Sequence, residues 1–299
     1  MKFTEGDVEE ATLAWLEELG YAVLPGPDIG PDGPSPERVA YDRVILTARL
    51  KEALRRLNPH LADDTLEEVL RRIRQDETPS LIEENRRLHR ALVDGVTVEV
   101  TRDDGTIAGE TARLLDHEDP DANDWLAVNQ FTVVEKGATR RPDVVVFVNG
   151  LPLAIVELKN PGDENATIHG AFNQLQTYKR EIPSLFRTNA VLVTSDGMEA
   201  RVGSLTADRE RFMPWRTVEG EDVAPKGTPE LQTLLAGVFD RRRFLELIRD
   251  FTVFGEVAKK DGQRETIKIV AGYHQFHAVR KAVDSTIEAA RPEGDRRVG

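Results

Sequence analysis

The stretch that decides the fold is DVVVFVNGLPLAIVELK, residues 143–159. Two apolar runs flank Asn149-Gly150, a dipeptide that is typical of a tight turn between paired strands. The stretch therefore predicts a β-hairpin. Its ionisable residues are Asp143, Glu157 and Lys159, and a charge in an otherwise apolar strand costs free energy. The presence of these three charged side chains therefore requires an explanation.

The register of the hairpin decides whether the three side chains meet. Glu157 and Lys159 are two residues apart on one strand, so both point to the same face. Asp143 can lie opposite Glu157 only if the loop holds an odd number of residues. We expect a three-residue loop, 149–151, with Gly150 at positive φ; a five-residue loop or a β-bulge would also serve. A two-residue turn with a regular ladder would separate the two carboxylates.

With that register, two carboxylates and one ammonium share a small, partly desolvated space. Paired carboxylates attract a hard cation, and Mg²⁺ takes oxygen ligands while it keeps several waters. The carbonyl of Leu158 is a candidate third ligand. Lys159 can hold an attacking water and stabilise negative charge at phosphorus. The pattern favours a metal-dependent phosphodiester hydrolase over the alternative that Asp143 and Glu157 are strand-end charges paired with Arg140 or Lys159.

Helical and strand patterns alternate around the hairpin. Residues from about 5 to 19 carry apolar side chains at helical spacing, with Thr4 as a candidate N-cap. Residues from about 36 to 93 are predicted to form a helical insertion, and strand patterns follow it. A helix is expected from about 166 to 180, before the buried strand in NAVLVTSDG. This order predicts an α/β fold in which helices flank a mixed β-sheet.

A predicted linker precedes the C-terminal segment of the chain. Residues 219–229, EGEDVAPKGTP, are rich in Pro, Gly and charge. We predict one domain over residues 1–218, this linker, and a helical C-terminal segment over residues 230–299. A short strand, TIKIV, is expected within that segment.

Composition limits the class of protein. The net charge of -13 argues against a protein that coats nucleic acid by charge alone. Basic clusters at 139–141, 178–180 and 240–244 leave weak or partner-assisted DNA binding open. Because the chain has no cysteine, any metal must use oxygen or imidazole ligands, and this fits a reducing cytoplasm. No apolar run approaches the roughly 18 residues needed to cross a bilayer. We expect a cytoplasmic protein with no membrane partner.

Further positions could support the hairpin. Gln174 and Tyr178 lie at i and i+4 on the predicted helix, so they share a face and could position a phosphate or a water. An ordinary amphipathic surface is the alternative. Glu9, on the first helix, could approach the same metal or orient Lys159.

Together these residues resemble the PD-(D/E)xK nuclease superfamily. The motif residues are Pro142-Asp143, Glu157-Leu158-Lys159 and the Gln174/Tyr178 pair that is typical of the RecB-like branch. More narrowly, the chain resembles the N-terminal part of the restriction (motor) subunit of type I restriction-modification enzymes. The supporting text includes NDWLAVNQFTVVE (123–135), AFNQLQTYKREIPSLF (171–186) and AGYHQFHAVRKAV (271–283).

The resemblance implies a restriction-endonuclease-like fold and Mg²⁺-dependent cleavage of double-stranded DNA that is non-specific at the nuclease itself. It implies that Asp143 and Glu157 bind metal, and it extends this role to Glu9. Lys159 takes the place of the catalytic lysine. Gln174 and Tyr178 take the places of the supporting residues.

The resemblance also implies partners and a motor. Methylation and specificity subunits would choose the DNA site, and ATP-driven translocation would bring DNA to the nuclease. The sequence contains no G-x-x-x-x-G-K-[ST] loop. We therefore expect a fragment, or a truncated gene product, whose residues 230–299 lead into a missing helicase-like motor. Gln275 matches a glutamine that reads adenine ahead of that loop in related motors. A polar residue at a helix start is the alternative.

Two other functions stay open at this point. A RecB-like exonuclease would need a free DNA end, so closed circular DNA separates it from an endonuclease. A non-catalytic docking domain of a DNA motor would keep the hairpin for structure alone. Such a domain has no reason to bind Mn²⁺ between Asp143 and Glu157.

Overall fold

A six-stranded mixed sheet forms the centre of the protein. The computed structural model describes residues 4–101, 105–160, 167–259, 262–292 and 296. The strands are β1 Ala22–Pro25, β2 Val96–Thr101, β3 Ile107–Ala112, β4 Trp125–Asn129, β5 Val133–Glu135, β6 Ala138–Arg140, β7 Val144–Val148, β8 Leu151–Leu158, β9 Val191–Ser195, β10 Ala200–Gly203, β11 Thr252–Ala258 and β12 Arg264–Val270. The helices are α1 Glu5–Glu18, α2 Gly26–Ile29, α3 Thr47–Leu57, α4 Asp63–Arg74, α5 Leu81–Asp94, α6 Ile168–Glu181, α7 Glu230–Val238, α8 Arg241–Arg249 and α9 Tyr273–Ala290.

The order of strands in the central sheet is β1-β4-β7-β8-β9-β10. β1 is parallel to β4 and β8 is parallel to β9, whereas the other neighbours are antiparallel. Every residue of β7, β8 and β9 is buried, as expected for strands covered on both faces. The predicted α/β fold, a mixed sheet flanked by helices, is confirmed. The arrangement of this sheet fits a restriction-endonuclease-like fold.

The first helix begins as the sequence predicts. The Thr4 hydroxyl accepts from the N–H of Asp7, and the Asp7 carboxylate accepts from the N–H of Thr4. This reciprocal capping box satisfies two N–H groups that the helix itself leaves unpaired. α1 then packs against β4, β8 and α7, which places its first turns near the end of the hairpin.

The helical insertion is shorter than predicted. Its helices begin at Thr47 rather than near residue 36, so the expected start is wrong. Val44, Ile45 and Leu46 are buried without helical structure, and the N–H of Leu46 donates to the carbonyl of Gly150 over 2.9 Å. Tertiary contacts with the hairpin turn therefore override the apolar periodicity of this segment.

The C-terminal segment contains more strand than predicted. TIKIV belongs to β12, which pairs along seven residues with β11, a strand that the sequence analysis missed. The residues after the linker form two helices, α7 and α8. Asp240 lies between them and caps α8, since its side chain accepts from the N–H of Arg243. The residues of the linker form no helix or strand. The boundary of residues 219–229 between two domains stays a prediction.

α6 begins at Ile168, after the N-cap Thr167, whereas the predicted start near residue 166 lies outside the described residues. The last predicted residues of the C-terminal segment, 293–295 and 297–299, also lie outside them. Within the described ranges, no helix is both long and apolar enough to cross a membrane.

Candidate active site

A β-bulge sets the register of the central hairpin. Asn149 and Gly150, at φ values of 50° and 77°, form a two-residue turn, so the predicted three-residue loop is wrong. Phe147 pairs with Pro152, but Val146 pairs with Ala154, which leaves Leu153 as the extra residue of β8. The bulge that the sequence analysis gave as an alternative is therefore confirmed.

The bulge brings the two acidic residues to one end of the hairpin. Val144 pairs with Val156, so the next position along the ladder places Asp143 opposite Glu157. Asp143 is 6% exposed and Glu157 is fully buried. Without the extra residue, the two side chains would lie on opposite faces of the sheet. The structure thus brings together the carboxylates that the sequence predicts to be neighbours.

Asp143 is held by backbone on both sides. Its own carbonyl accepts from the N–H of Gln130, beyond the end of β4, over 2.9 Å. Its Oδ2 atom accepts from the N–H of Leu158 over 2.7 Å. The carboxylate is therefore oriented toward β8 by a charge-assisted hydrogen bond.

Lys159 lies against Glu157 and the carbonyl of Leu158. Its Nζ donates to Oε1 of Glu157 over 3.0 Å and to the Leu158 carbonyl over 2.8 Å. The N–H of Lys159 donates to the carbonyl of Ser195, so the backbone at this position is tied to β9. Oε2 of Glu157 is buried and has no hydrogen-bond partner within the described part of the chain. A buried acceptor without a partner costs free energy. Oε2 of Glu157 is therefore the atom of the site that still needs a bound partner.

The ionised forms of both carboxyl groups are disfavoured in the folded protein. Burial raises the pKa of Asp143 to about 6, although the N–H of Leu158 and the charge of Lys159 oppose this shift. Burial also raises the pKa of Glu157, and the neighbouring charge of Asp143 raises it further. Two buried carboxylates in one space favour a bound proton or cation.

The oxygen atoms present fit a hard divalent cation. Among the described residues, no three His, Asp or Glu side chains cluster as a metal-binding group. The site instead offers two carboxylates and the carbonyl of Leu158, with Oε2 of Glu157 free to accept. Mg²⁺ is commonly held by one or two carboxylates and keeps several waters, so this donor set is sufficient for it.

Glu9 lies at the edge of the site but bonds elsewhere. Its Oε1 accepts from the side-chain amide of Asn129 over 2.8 Å, and its Oε2 accepts from that of Gln130. No bond between Glu9 and Lys159 is present among the described residues. The charges of Glu5 and Glu9 nevertheless help to raise the pKa of Asp143. Metal binding by Glu9 stays a prediction.

Sequence reasoning did not find Asn129, Gln130 or Glu5. The two amides anchor Glu9 at the end of β4, and Gln130 adopts a φ of 52°, which is uncommon for a residue other than glycine. A polar Asn-Gln pair directly after the apolar run WLAV was the available signal. Glu5 had no comparable signal, because its proximity depends on how α1 packs.

Gln174 and Tyr178 form a bonded pair on α6. The amide Nε2 of Gln174 donates to the Tyr178 hydroxyl over 2.5 Å. Burial and the charge of Glu157 raise the pKa of Tyr178, and Asp143 adds to this effect, whereas the bond to Gln174 and the charge of Arg140 oppose it. The hydroxyl therefore lies within electrostatic reach of both carboxylates.

Gln275 belongs to another part of the molecule. It lies in the first turn of α9, where its Oε1 accepts from the N–H of Gly272 over 3.0 Å. It also lines a cavity of about 320 Å³ beside Trp215 and β12. The helix-start role is thus present, and the adenine-reading role stays a prediction.

Known proteins match the chain over almost its whole length. The family described as type I restriction enzyme R protein N terminus matches residues 2–211. The type I restriction enzyme HindI endonuclease subunit of Haemophilus influenzae is 40% identical over 298 residues, which cover 99% of this chain and 28% of that protein. A Methanocaldococcus jannaschii protein, provisionally named as the MjaIXP endonuclease subunit of this enzyme class, is 34% identical over 98% of the chain and 29% of its own length.

A more distant relative covers less of the chain. The type I restriction enzyme EcoprrI endonuclease subunit of Escherichia coli is 27% identical over 84% of the chain and 74% of its own length. The chain thus spans less than a third of the Haemophilus and Methanocaldococcus relatives. The family match covers well over half of the chain and includes both carboxylates, the lysine and the Gln174/Tyr178 pair. This chain belongs to the family of type I restriction enzyme R protein N termini.

Proposed function

We propose that this chain is the nuclease domain of a type I restriction enzyme and hydrolyses phosphodiester bonds of double-stranded DNA with Mg²⁺. The observation that carries the proposal is the register of the hairpin, which puts Asp143 opposite Glu157 and beside Lys159. The relatives are named as endonuclease subunits, which supports the same reaction class.

Asp143, Glu157 and the Leu158 carbonyl are the proposed ligands of the ion. Their oxygen donors, their burial and the unpartnered Oε2 of Glu157 suit a hard cation. When it is bound, Mg²⁺ supplies Lewis-acid polarisation of the phosphate and lowers the pKa of a bound water. The N–H of Leu158 keeps the Asp143 carboxylate oriented throughout.

Lys159 is the proposed electrostatic catalyst. Its ammonium lies at the Glu157 carboxylate, so it is placed to offset the extra negative charge that develops at phosphorus. It also has protons to donate toward an attacking water. Gln174 and Tyr178 are proposed to orient that water or a phosphate oxygen, since their hydrogen bond fixes the tyrosine hydroxyl near the carboxylates.

The complete enzyme is proposed to couple this nuclease to ATP-driven translocation. In that assembly, methylation and specificity subunits would select the DNA site, and a motor domain outside this sequence would bind ATP. Gln275 is the candidate adenine contact. Its hydrogen bond with the N–H of Gly272 would have to break for that role. This sequence contains no phosphate-binding loop of its own.

The test uses Asp143→Ala and Lys159→Ala in the full-length subunit, assembled with its partners. We expect DNA cleavage to be lost while ATP-dependent translocation continues. Glu10→Ala is the matched control, because Glu10 is an exposed acid on α1 and should have no effect. Persistent cleavage by either site variant, with translocation intact, would refute the assignment.

A further inference from the structure

A groove of about 510 Å³ opens beside the candidate active site. One wall is the end of β6 with the residue after it, and the other is a single face of α6. Its basic, amide and hydroxyl side chains include Arg140, Arg141, Asn173, Gln174, Thr177 and Tyr178. The helical members follow a spacing of three and four residues, so they form one continuous stripe on α6. Asn173 is exposed and Gln174 and Thr177 are half-buried, whereas Tyr178 is buried against the core.

The groove is a local concentration of positive charge on an acidic chain. Arg141 is exposed and forms no ion pair with any described residue. Arg140 uses its Nε for Glu181 over 2.5 Å, yet its side chain is still 38% exposed. Arg180 donates to the Thr177 hydroxyl over 3.3 Å, which places a third guanidinium at the rim. On a chain with a net charge of -13, a cation without an ion-pair partner among the described residues is a site of attraction for an anionic ligand.

The groove borders the candidate active site, since Gln174 and Tyr178 line it. Arg141 is separated from Asp143 by Pro142 alone. At the other wall, a Cβ added to Gly170 would lie 4.0 Å from Cδ of Lys159. Gly170, which lines the groove, therefore lies beside the Lys159 side chain.

We propose that this groove seats the phosphates of the DNA strand that is cut, with Arg140 and Arg141 as the phosphate contacts. The proposal deepens the proposed function and rests on it, because it names the surface that delivers the strand to Asp143 and Lys159. Arginine, amide and hydroxyl donors contact phosphate and sugar and fix the position of the duplex. Such contacts carry no sequence information, so the groove binds DNA without sequence preference.

The test measures binding of a fluorescent DNA duplex to this chain in EDTA, where no metal-dependent cleavage occurs. Each phosphate contact contributes about 0.9 to the slope of log affinity against log salt concentration. Between about 50 and about 200 mM salt, Arg141→Gln should therefore reduce the slope by about 0.9, and Arg140→Gln/Arg141→Gln by about 1.8. Arg71→Gln is the matched control, because Arg71 is 60% exposed on α4 and should leave the slope unchanged.

A steric variant at Gly170 tests access to the groove without removing charge. Gly170→Trp should lower the affinity for the duplex while both arginines remain, whereas Gly170→Ala should bind as the unaltered chain does. Circular dichroism and thermal unfolding of each variant separate loss of binding from loss of fold. If the unaltered chain shows no binding at about 50 mM salt, or if the double variant keeps its slope, the proposal is overturned.

The two proposals fail in different ways. If Asp143→Ala still cleaves in the assembled enzyme but the arginine variants lose their salt slope, the groove stands and the nuclease assignment falls. If Asp143→Ala loses cleavage and the arginine variants bind DNA normally, the assignment stands and the groove falls.

Discussion

The backbone N–H of Leu158 donates a hydrogen bond of 2.7 Å to Oδ2 of Asp143. The carboxylate of one strand is thereby tied to the main chain of the next, at the residue between Glu157 and Lys159. Because a backbone donor moves only with its strand, the orientation of Asp143 depends on the register of the hairpin.

Replacing Glu157 with Gln should stabilise the metal-free chain. Burial and the charge of Asp143 both raise the pKa of Glu157, so its ionised form is costly in the folded state. We expect the free energy of unfolding at neutral pH to rise by about 1 kcal/mol, as is common when a functional site is relaxed. Mg²⁺ at about a hundred times its dissociation constant should stabilise the unaltered chain by about 2.7 kcal/mol and the variant by less. Equal stabilisation of both by Mg²⁺, in denaturant titrations, would count against Glu157 as a ligand.

Lys159→Ala should remove charge stabilisation but not metal binding. The ammonium lies at Oε1 of Glu157, where no other cation is bonded among the described residues. Loss of one such electrostatic contact typically costs about a hundredfold to a thousandfold in rate. Single-turnover DNA cleavage by the assembled enzyme measures this, with Lys226→Ala in the linker as the control. A rate within a few-fold of the unaltered enzyme would remove Lys159 from the reaction.

Gly150→Ala should misplace the hairpin turn. Gly150 has a φ of 77°, and an added Cβ would lie 2.5 Å from the Leu46 carbonyl. Gly137 is the matched control, since its φ is 84° and an added Cβ meets nothing within 4 Å. We expect Gly137→Ala to cost about 1 kcal/mol for the left-handed backbone alone. Gly150→Ala should cost about 2 kcal/mol more, because the neighbouring backbone must move. Similar losses for the two variants in equilibrium unfolding would show that the contact with Leu46 is unimportant.

Lys268 should make stability rise with pH above neutrality. Its side chain is buried and donates to Oδ1 of Asn85 and to the carbonyl of Asn189, and burial lowers its pKa to about 7. Between this value and the ordinary lysine pKa near 10.5, the unfolded chain binds the extra proton, so raising the pH favours the folded state. The gain is at most about 1.4 kcal/mol per pH unit. Lys268→Met should lack this part of the pH dependence in denaturant titrations, and an unchanged profile would contradict the assignment.

The assembled enzyme should cut covalently closed circular DNA. The proposed contacts of Arg140 and Arg141 are with the phosphate backbone, which needs no strand end. A RecB-like exonuclease would instead degrade only the linear form. Gel electrophoresis of matched circular and linear substrates distinguishes the two outcomes, and activity on linear DNA alone would favour the exonuclease.

Local patterns predicted the elements whose causes are local. The capping residue Thr4 and the apolar spacing of α1 are both within one segment of sequence, and the helix begins where they indicate. The strands of the hairpin are likewise visible as apolar runs about an Asn-Gly turn. Patterning at periods of two and 3.6 residues is sufficient for such elements.

The features that local patterns left open or missed depend on contacts between distant segments. The extra residue at Leu153 changes no local pattern, yet it decides which face Glu157 occupies. The non-helical backbone at Leu46 follows from its bond to Gly150, about a hundred residues later. The bonds of Glu9 to Asn129 and Gln130 join α1 to the end of β4. Sequence spacing along one element carries no information on such pairings.

The turn at Asn149-Gly150 is held by the helical insertion. Leu46, just before α3, donates to the Gly150 carbonyl, and Arg56 of α3 donates to Oδ1 of Asn149 over 3.2 Å. Asp143 and Glu157 lie at the opposite end of the same two strands, about 17 Å away at the usual rise per residue. A change in α3 that releases the turn would therefore reach the carboxylates as a slip in strand alignment. In an assay that scores only cut DNA, such a variant would be indistinguishable from a catalytic mutant, although it touches no charged residue of the site.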